Sequence, residues 1–413
     1  MKTVIVGAGV VGLATAYELV QAGHEVTVVE KETYGAGPSQ GNAGLLTETL
    51  SFPVPAPGTI GLAVRSIFKP QAPITVRLRP SWAFAQYLLR MALATRSDAF
   101  HKGTVAQELL TQHIFTTFDA YREAGLEFEM HQKGSLHIYP DRGTFDAALK
   151  LFEPFHGMQD RIQAISSAAE VHELDPELAP GITYGYYAPQ DRQVEPVSLL
   201  KALLGAVQEK GGQLLEHTAV LDFVTEGNAV RGVVTTGGVL DADQVVIAAG
   251  VGSRSLATKL GLQLPLYGGG GYSIDGYFAS GPKPALSALT VDTDIAVTPL
   301  NWGLRASSGM IVGQDKPVVN PKLIQRLLQD LKTIYPQVRL DSHTAGWAGL
   351  RPMSADGVPI IGPVPGLKNA ILATGHAMMG VTFGPITAKI VRELIEEPAH
   401  PAGYRLFAAE RFL

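Results

Sequence analysis

The stretch Gly7-Ala8-Gly9-Val10-Val11-Gly12 constrains this chain more than any other. It follows a short apolar run, Thr3-Val4-Ile5-Val6, and leads into an alanine-rich amphipathic segment from Leu13 to Ala22. Gly23-His24 breaks that segment, and a β-branched run from Glu25 to Val29 ends on Glu30. The order is strand, glycine turn, helix, turn, strand, acid. Gly7 permits the tight turn, Gly9 lets backbone approach a pyrophosphate, and Gly12 lets the helix lie close on the sheet. The helix N-terminus offers free N–H groups and the positive end of its dipole to the phosphates. Glu30 stands where ribose hydroxyls would be bound. The frame predicts dinucleotide binding and leaves open which dinucleotide, since FAD and NAD both use it.

With 413 residues the chain exceeds one ordinary core, and two domains are expected. Hydrophobic content of 46% against 17% charged residues excludes a disordered chain. The net charge of −5 gives no basic field for nucleic acid. The absence of cysteine excludes disulfides, thiolate metal sites and a cysteine-linked flavin, and fits a reducing compartment. Lys2 and Ala14-Thr15-Ala16 resemble a secretion signal, but cleavage there would destroy the βαβ frame, so that reading is set aside. No apolar run has the length of a membrane span.

After Glu30, the segment Gly35 to Gly44 is too rich in small and polar residues to be core. It reads as a turn or as a second cofactor cradle, with Ser39 and Asn42 offering side chains and Gly41 and Gly44 offering N–H groups. From Thr49 to Ser97 there is no acid, while Arg65, Lys69, Arg77, Arg79, Arg90 and Arg96 alternate with apolar and aromatic residues. Such a segment forms a lid of short helices, docks on an anionic membrane or quinone-bearing surface, or does both. A helix is expected over Val105 to Ala124 and another over Pro321 to Tyr335. Gln244 to Gly250 is a strand buried on both faces, ending in Ala249-Gly250 where backbone again meets a ligand. Val220 either touches an adenine ring or is a core residue. Gly268 to Gly271 before Tyr272 weaken a strand and let it pass close to something flat.

Near the C-terminus, Gly349-Leu350-Arg351-Pro352 and Asp356-Gly357-Val358-Pro359 precede a strand, and Gly375-His376-Ala377-Met378-Met379-Gly380 then opens a helix. That helix N-terminus suits negative charge on a reduced flavin, which a nicotinamide enzyme does not need. Together with the N-terminal frame and Ser39-Gln40-Gly41-Asn42-Ala43-Gly44, these motifs resemble the D-amino acid oxidase/glycine oxidase family of FAD flavoproteins, over essentially the whole chain. The likeness is greatest to the branch of bacterial D-amino acid dehydrogenases.

The resemblance implies an α/β fold: a Rossmann-like FAD-binding domain (1–50, 195–265 and 341–413) and a substrate domain with a mixed or antiparallel sheet (51–194 and 266–340). It implies non-covalent FAD held by Gly7, Gly9, Val10, Val11, Gly12, Glu30, Lys31, Ser39 to Leu45, Val220, Ala249, Gly250, Gly375, His376, Met379, Gly380, Val381 and Thr382. The segment from Ser39 to Leu45 comprises Ser39, Gln40, Gly41, Asn42, Ala43, Gly44 and Leu45. Arg351 is implied to fork the carboxylate of a small amino acid substrate so that its Cα–H faces the flavin. Tyr272 is expected to add a hydroxyl to the substrate. The implied reaction is oxidation of an amino or imino acid, the imino product hydrolysing to a 2-oxo acid and ammonia. Two departures stand out. Apolar Ala377-Met378-Met379 replace a second basic residue found in several relatives, and glycines replace a cation before Gly271-Tyr272-Ser273. The second lowers the expected reactivity with oxygen and favours a quinone or other carrier as acceptor. A cytoplasmic protein is expected, with peripheral contact on the inner membrane face through residues 60–96.

Overall fold

The computed structural model describes residues 1–58, 61, 74–152, 157, 159–278, 280–397 and 402–413. Arg65, Lys69 and their apolar neighbours in the basic stretch therefore lie outside the described residues.

The N-terminal frame forms as the sequence dictates. Strand Lys2–Val6 runs into helix Val10–Gln21, and strand Glu25–Val29 returns parallel to the first. These two strands sit inside a six-stranded sheet ordered Gln213–Leu215, Glu25–Val29, Lys2–Val6, Gln244–Ile247, Ala370–Thr374, Ile360–Pro363. The first five are parallel and the last is antiparallel. Val245, Val246 and Ile247 are wholly buried because long helices cover one face, and the strand Ala229–Thr235 with the short helix Ser253–Lys259 covers the other. Helix Val10–Gln21 packs between Gly380–Glu396 and Pro196–Glu209. Leu13, Leu19, Leu199, Leu203, Phe383 and Val391 meet there at 0% exposure, each contributing roughly 1.5–3 kcal/mol of transfer free energy.

The second large sheet has ten strands. Its longest strand, Leu266–Tyr277, lies next to one edge, flanked by Gly303–Val312 and Trp347–Ser354. Helix Pro321–Ile334 closes one face: Asn320 caps it, proline starts it, and Ile324, Leu327, Leu331 and Ile334 turn inward. A three-stranded antiparallel sheet, Val220–Glu226, Ala229–Thr235 and Gly238–Asp241, projects beside the parallel sheet.

Three sequence expectations need correction. The boundary placed at 341 is not where the sheets change, because Ser342–His343 and Trp347–Ser354 pair into the ten-stranded sheet. Within 51–194, Leu110, Ile114, Phe118 and Tyr121 join the core around the first helix, so this part packs on the cofactor side. The helix expected over 105–124 is two, Ser97–Thr111 and Ile114–Glu123. His113 sits between them at φ −111° and ψ 2°, and its N–H bonds the Leu110 carbonyl at 3.1 Å, a tighter turn that closes the first helix.

Candidate active site

The carboxyl ends of the parallel strands gather the residues of the first expected cradle, as open α/β sheets do with nucleotides. Gly7 leaves its strand at φ 110°, and an added Cβ would lie 2.6 Å from the carbonyl oxygen of Ala248. A Cβ at Gly12 would lie well inside van der Waals contact with the Gly7 carbonyl oxygen. Glu30 reaches back: Oε2 accepts the Ala8 N–H at 2.9 Å and Oε1 accepts the Glu32 N–H at 3.1 Å. Thr218 donates its N–H to the Glu30 carbonyl at 2.8 Å, which brings Val220 beside this corner, half-buried and paired with Thr235. Lys31 is exposed and meets Glu32 at 3.4 Å. Ala249 abuts Gly7, and the Gly250 carbonyl accepts the Thr374 hydroxyl at 3.0 Å.

The loop from Ser39 to Leu45 is tied on both sides. Ser39 Oγ accepts the Val10 N–H at 3.1 Å, above Gly9. Asn42 spends its side chain on the fold: Oδ1 accepts the Gly44 N–H at 2.8 Å and Nδ2 donates to the Met378 carbonyl at 3.1 Å. Thr382 Oγ1 donates to the Leu45 carbonyl at 3.2 Å. Gly44 has φ 76° and Gly41 lies against the Trp347 indole, so neither has space for a side chain. The loop is thereby held beside helix Gly380–Glu396, which no side chain caps at Met379. The N–H groups at Gly380, Val381 and Thr382 remain without helical partners. Gly375 turns the chain at φ 80° before this helix. The His376 ring points into the protein, paired with Thr387 Oγ1 at 2.9 Å, and burial pushes its pKa down to about 3.

The ten-stranded sheet presents one face to this loop. Along Leu266–Tyr277, residues 267, 269, 271, 273 and 275 share a face. Register places Arg351 opposite Gly269, Trp347 opposite Ser273 and Arg305 opposite Asp275, all on that face. Arg305, at 3% exposure, forks Asp275 at 2.7 and 3.0 Å and donates Nη1 to the carbonyls of Gln40 (2.7 Å) and Asn42 (3.1 Å). A buried ion pair thus ties the sheet to the cofactor loop. Sequence reasoning missed it. The available signal was one arginine and one aspartate, each inside an otherwise apolar or small-residue strand.

Arg351 lies on the same face, partly buried, with its guanidinium over Gly271. Nη1 donates to the carbonyls of Gly309 and, at 3.5 Å, Gly270, while Nε and Nη2 make no hydrogen bond among the described residues. Desolvation lowers its pKa, opposed by the Asp294 carboxylate and Tyr272. Tyr272 is not brought to this face. Alternation turns it, with Ile274, toward helix Pro321–Ile334, where it packs on that core and hydrogen-bonds Ser308. Burial raises its pKa. Helix Trp82–Ala94 covers the far end of the Arg351 face: Phe84 and Tyr87 pack on Tyr267, with ring centroids 4.9 and 4.7 Å away, and Tyr87 bonds the Met353 carbonyl at 3.3 Å. The opposite side of this helix exposes Trp82 (78%), Leu89 (61%) and Leu93 (50%).

The residues present fit FAD. Side chains are missing where a phosphate backbone would pass, a carboxylate waits at the ribose position, and a second uncapped helix start faces the same loop. Known proteins agree. The chain is 31% identical over 410 residues to the D-amino acid dehydrogenase of Cereibacter sphaeroides, covering 96% of this chain and 92% of that protein. It is 27% identical over 413 residues to the D-amino acid dehydrogenase of Helicobacter pylori, covering 99% and 98%. The glycine oxidase structure from Bacillus cereus superposes with a TM-score of 0.75 at 23% identity, over 98% of this chain and 97% of that one, a likeness of fold. The family model described as FAD dependent oxidoreductase matches residues 2–394, and the chain belongs to that family of FAD-dependent enzymes.

Proposed function

We propose that the protein oxidises a D-amino acid to its imino acid, released as the 2-oxo acid and ammonia, and passes the electrons to a quinone or another carrier. The observation that carries the reading is Arg351. Its guanidinium lies against the glycine-rich strand, and Nε and Nη2, without a hydrogen bond among the described residues, are available to a carboxylate. A planar fork fixes both carboxylate oxygens and so orients Cα. The absence of a side chain at Gly271 lets the Arg351 guanidinium lie against the strand, while the space over Gly269 is taken by Met353 and Met310. Bound FAD supplies the two-electron acceptor for the Cα–H. The D-amino acid dehydrogenases similar to this chain support the substrate class.

The test is anaerobic flavin reduction against a panel of D- and L-amino acids, glycine, sarcosine and prolines. Reduction by D-amino acids with slow peroxide release in air is expected. Fast reduction by glycine, sarcosine or hydroxyproline alone would favour the alternative, an imino acid dehydrogenase or oxidase on the same scaffold, in line with the glycine oxidase likeness. Peroxide formation as fast as quinone-analogue reduction would sink the acceptor assignment.

The exposed stripe of Trp82, Leu89 and Leu93, with Leu78 at 68% exposure, favours peripheral contact with an anionic membrane. No helix among the described residues is long and apolar enough to cross one. Liposomes with anionic lipid should pull the protein down at low salt and release it as salt rises. No co-sedimentation at low salt would leave this segment as a lid only.

A further inference from the structure

Asp294 lies in the turn between strands Ser287–Thr290 and Ile295–Leu300. Its φ is 52°, a left-handed conformation uncommon outside glycine. The turn is held by Thr290, whose hydroxyl pairs with Thr293 Oγ1 at 2.5 Å and accepts the Ile295 N–H at 3.4 Å. Register pairs Ile295 with Ser308, which sets Asp294 beside Gly309. Gly309 sits at φ 85° where the pairing of Gly303–Val312 with Leu266–Tyr277 slips by a residue.

One glycine residue joins the two charged side chains. The Gly309 N–H hydrogen-bonds the Asp294 carboxylate, and the Gly309 carbonyl accepts from Arg351. Among the described residues no ion pair closes on Asp294; Arg351 acts on it through space. Burial raises its pKa to about 6, so it remains a carboxylate at neutral pH. A partly buried, uncompensated charge in a strained backbone costs free energy in the free protein, and such features cluster at binding sites.

We propose that Asp294 is a substrate-binding residue whose carboxylate receives the α-ammonium group of the amino acid held by Arg351, so that the site reads a zwitterion at both ends. The inference rests on the amino acid reading above. It explains why the carboxylate is kept beside the guanidinium without pairing to it: the two are bridged by the N–H and C=O of one glycine, and a zwitterion supplies the charge each lacks. It also sets a specificity. Carboxylates with a hydroxyl or hydrogen in place of the ammonium lose the second contact and leave Asp294 uncompensated.

The experiment compares holoenzyme, Asp294→Asn and Arg351→Met for binding of D-alanine and of propionate, followed by the flavin absorption change under anaerobic conditions. Asparagine tolerates the left-handed backbone, so Asp294→Asn keeps the turn, and its thermal midpoint should match the parent. Loss of a charge-assisted contact predicts roughly ten- to hundred-fold weaker D-alanine binding for Asp294→Asn. Propionate binding should be unchanged or tighter. Arg351→Met should lose both ligands. Equal weakening of D-alanine and propionate by Asp294→Asn would overturn the proposal, as would weakening of neither. A parent enzyme that binds propionate but no amino acid would instead overturn the amino acid reading, and the inference with it.

Discussion

The glycine turn permits a separation of fold from cofactor binding by two single methyl groups. Gly12→Ala places a Cβ against the Gly7 carbonyl, backbone against backbone, with the Ala248 methyl 3.6 Å away. The helix must retreat from the sheet, and overpacking of this kind costs about 1–3 kcal/mol, here at the upper end because no side chain can yield. Gly9→Ala is different. Gly9 has φ −79° and ψ −178°, which alanine adopts freely, and its Cβ would meet only Ser39 Oγ at 3.2 Å. The apoprotein should stay within about 1 kcal/mol of the parent. The new methyl would nonetheless stand where a pyrophosphate passes. At FAD a hundred times above Kd the parent gains about 2.7 kcal/mol from the cofactor, and a tenfold weaker Kd removes about 1.4 of it. Urea unfolding of apoprotein and FAD titration by fluorescence quenching read the two effects separately. Unimpaired FAD binding by Gly9→Ala would refute the assignment of this turn. Equal loss of apoprotein stability in both variants would refute the distinction.

Arg351→Lys keeps the charge but not the fork; Arg351→Met loses both. Charged hydrogen bonds of about 1.5–3 kcal/mol each predict a fall in kcat/KM of two to four orders of magnitude for methionine, mostly in KM, and an unchanged KM in steady-state kinetics would remove Arg351 from the site. His376 predicts an acid-sensitive fold. Above pH 6.5 the ring is neutral folded or unfolded; below it the unfolded ring takes a proton that the folded ring refuses until about pH 3. Stability should fall by about 1.4 kcal/mol per pH unit in that window, so urea midpoints at pH 7.5 and 5 should show about 2 kcal/mol of loss that His376→Gln abolishes. Arg305→Met strands the Asp275 carboxylate and frees the loop at Gln40 and Asn42. A cost of roughly 3–5 kcal/mol is expected, with limited proteolysis cutting near residue 40 faster than in the parent.

What was legible in the sequence was what local pattern determines. The glycine spacing, the buried run at Val245–Ile247 and the caps of Pro321–Ile334 depend on a few adjacent residues. The illegible part depended on register. Whether Tyr272 or Arg351 faces the cofactor loop is a one-residue question, settled by the pairing of Arg351 with Gly269 across 82 positions of chain. The Arg305–Asp275 pair arises from the pairing of Leu266–Tyr277 with Gly303–Val312, and the Asp294–Gly309 contact from that of Ile295–Leu300 with Gly303–Val312. Trp347–Ser354 was grouped with the cofactor segments because its motif is contiguous in sequence with them, although its ladder hydrogen bonds go to Leu266–Tyr277.

The parallel sheet carries a consequence for how the protein comes into being. Its central strand, Lys2–Val6, pairs on one side with Glu25–Val29 and on the other with Gln244–Ile247, which in turn needs Ala370–Thr374. Emerging from the ribosome, the first βαβ unit must wait for more than 200 residues before its other edge is covered. Pairings this distant in sequence fold slowly and leave strand edges open to aggregation. Gly375 to Thr382 follow Glu30 by more than 340 residues, so the two expected parts of the cradle meet only late in synthesis.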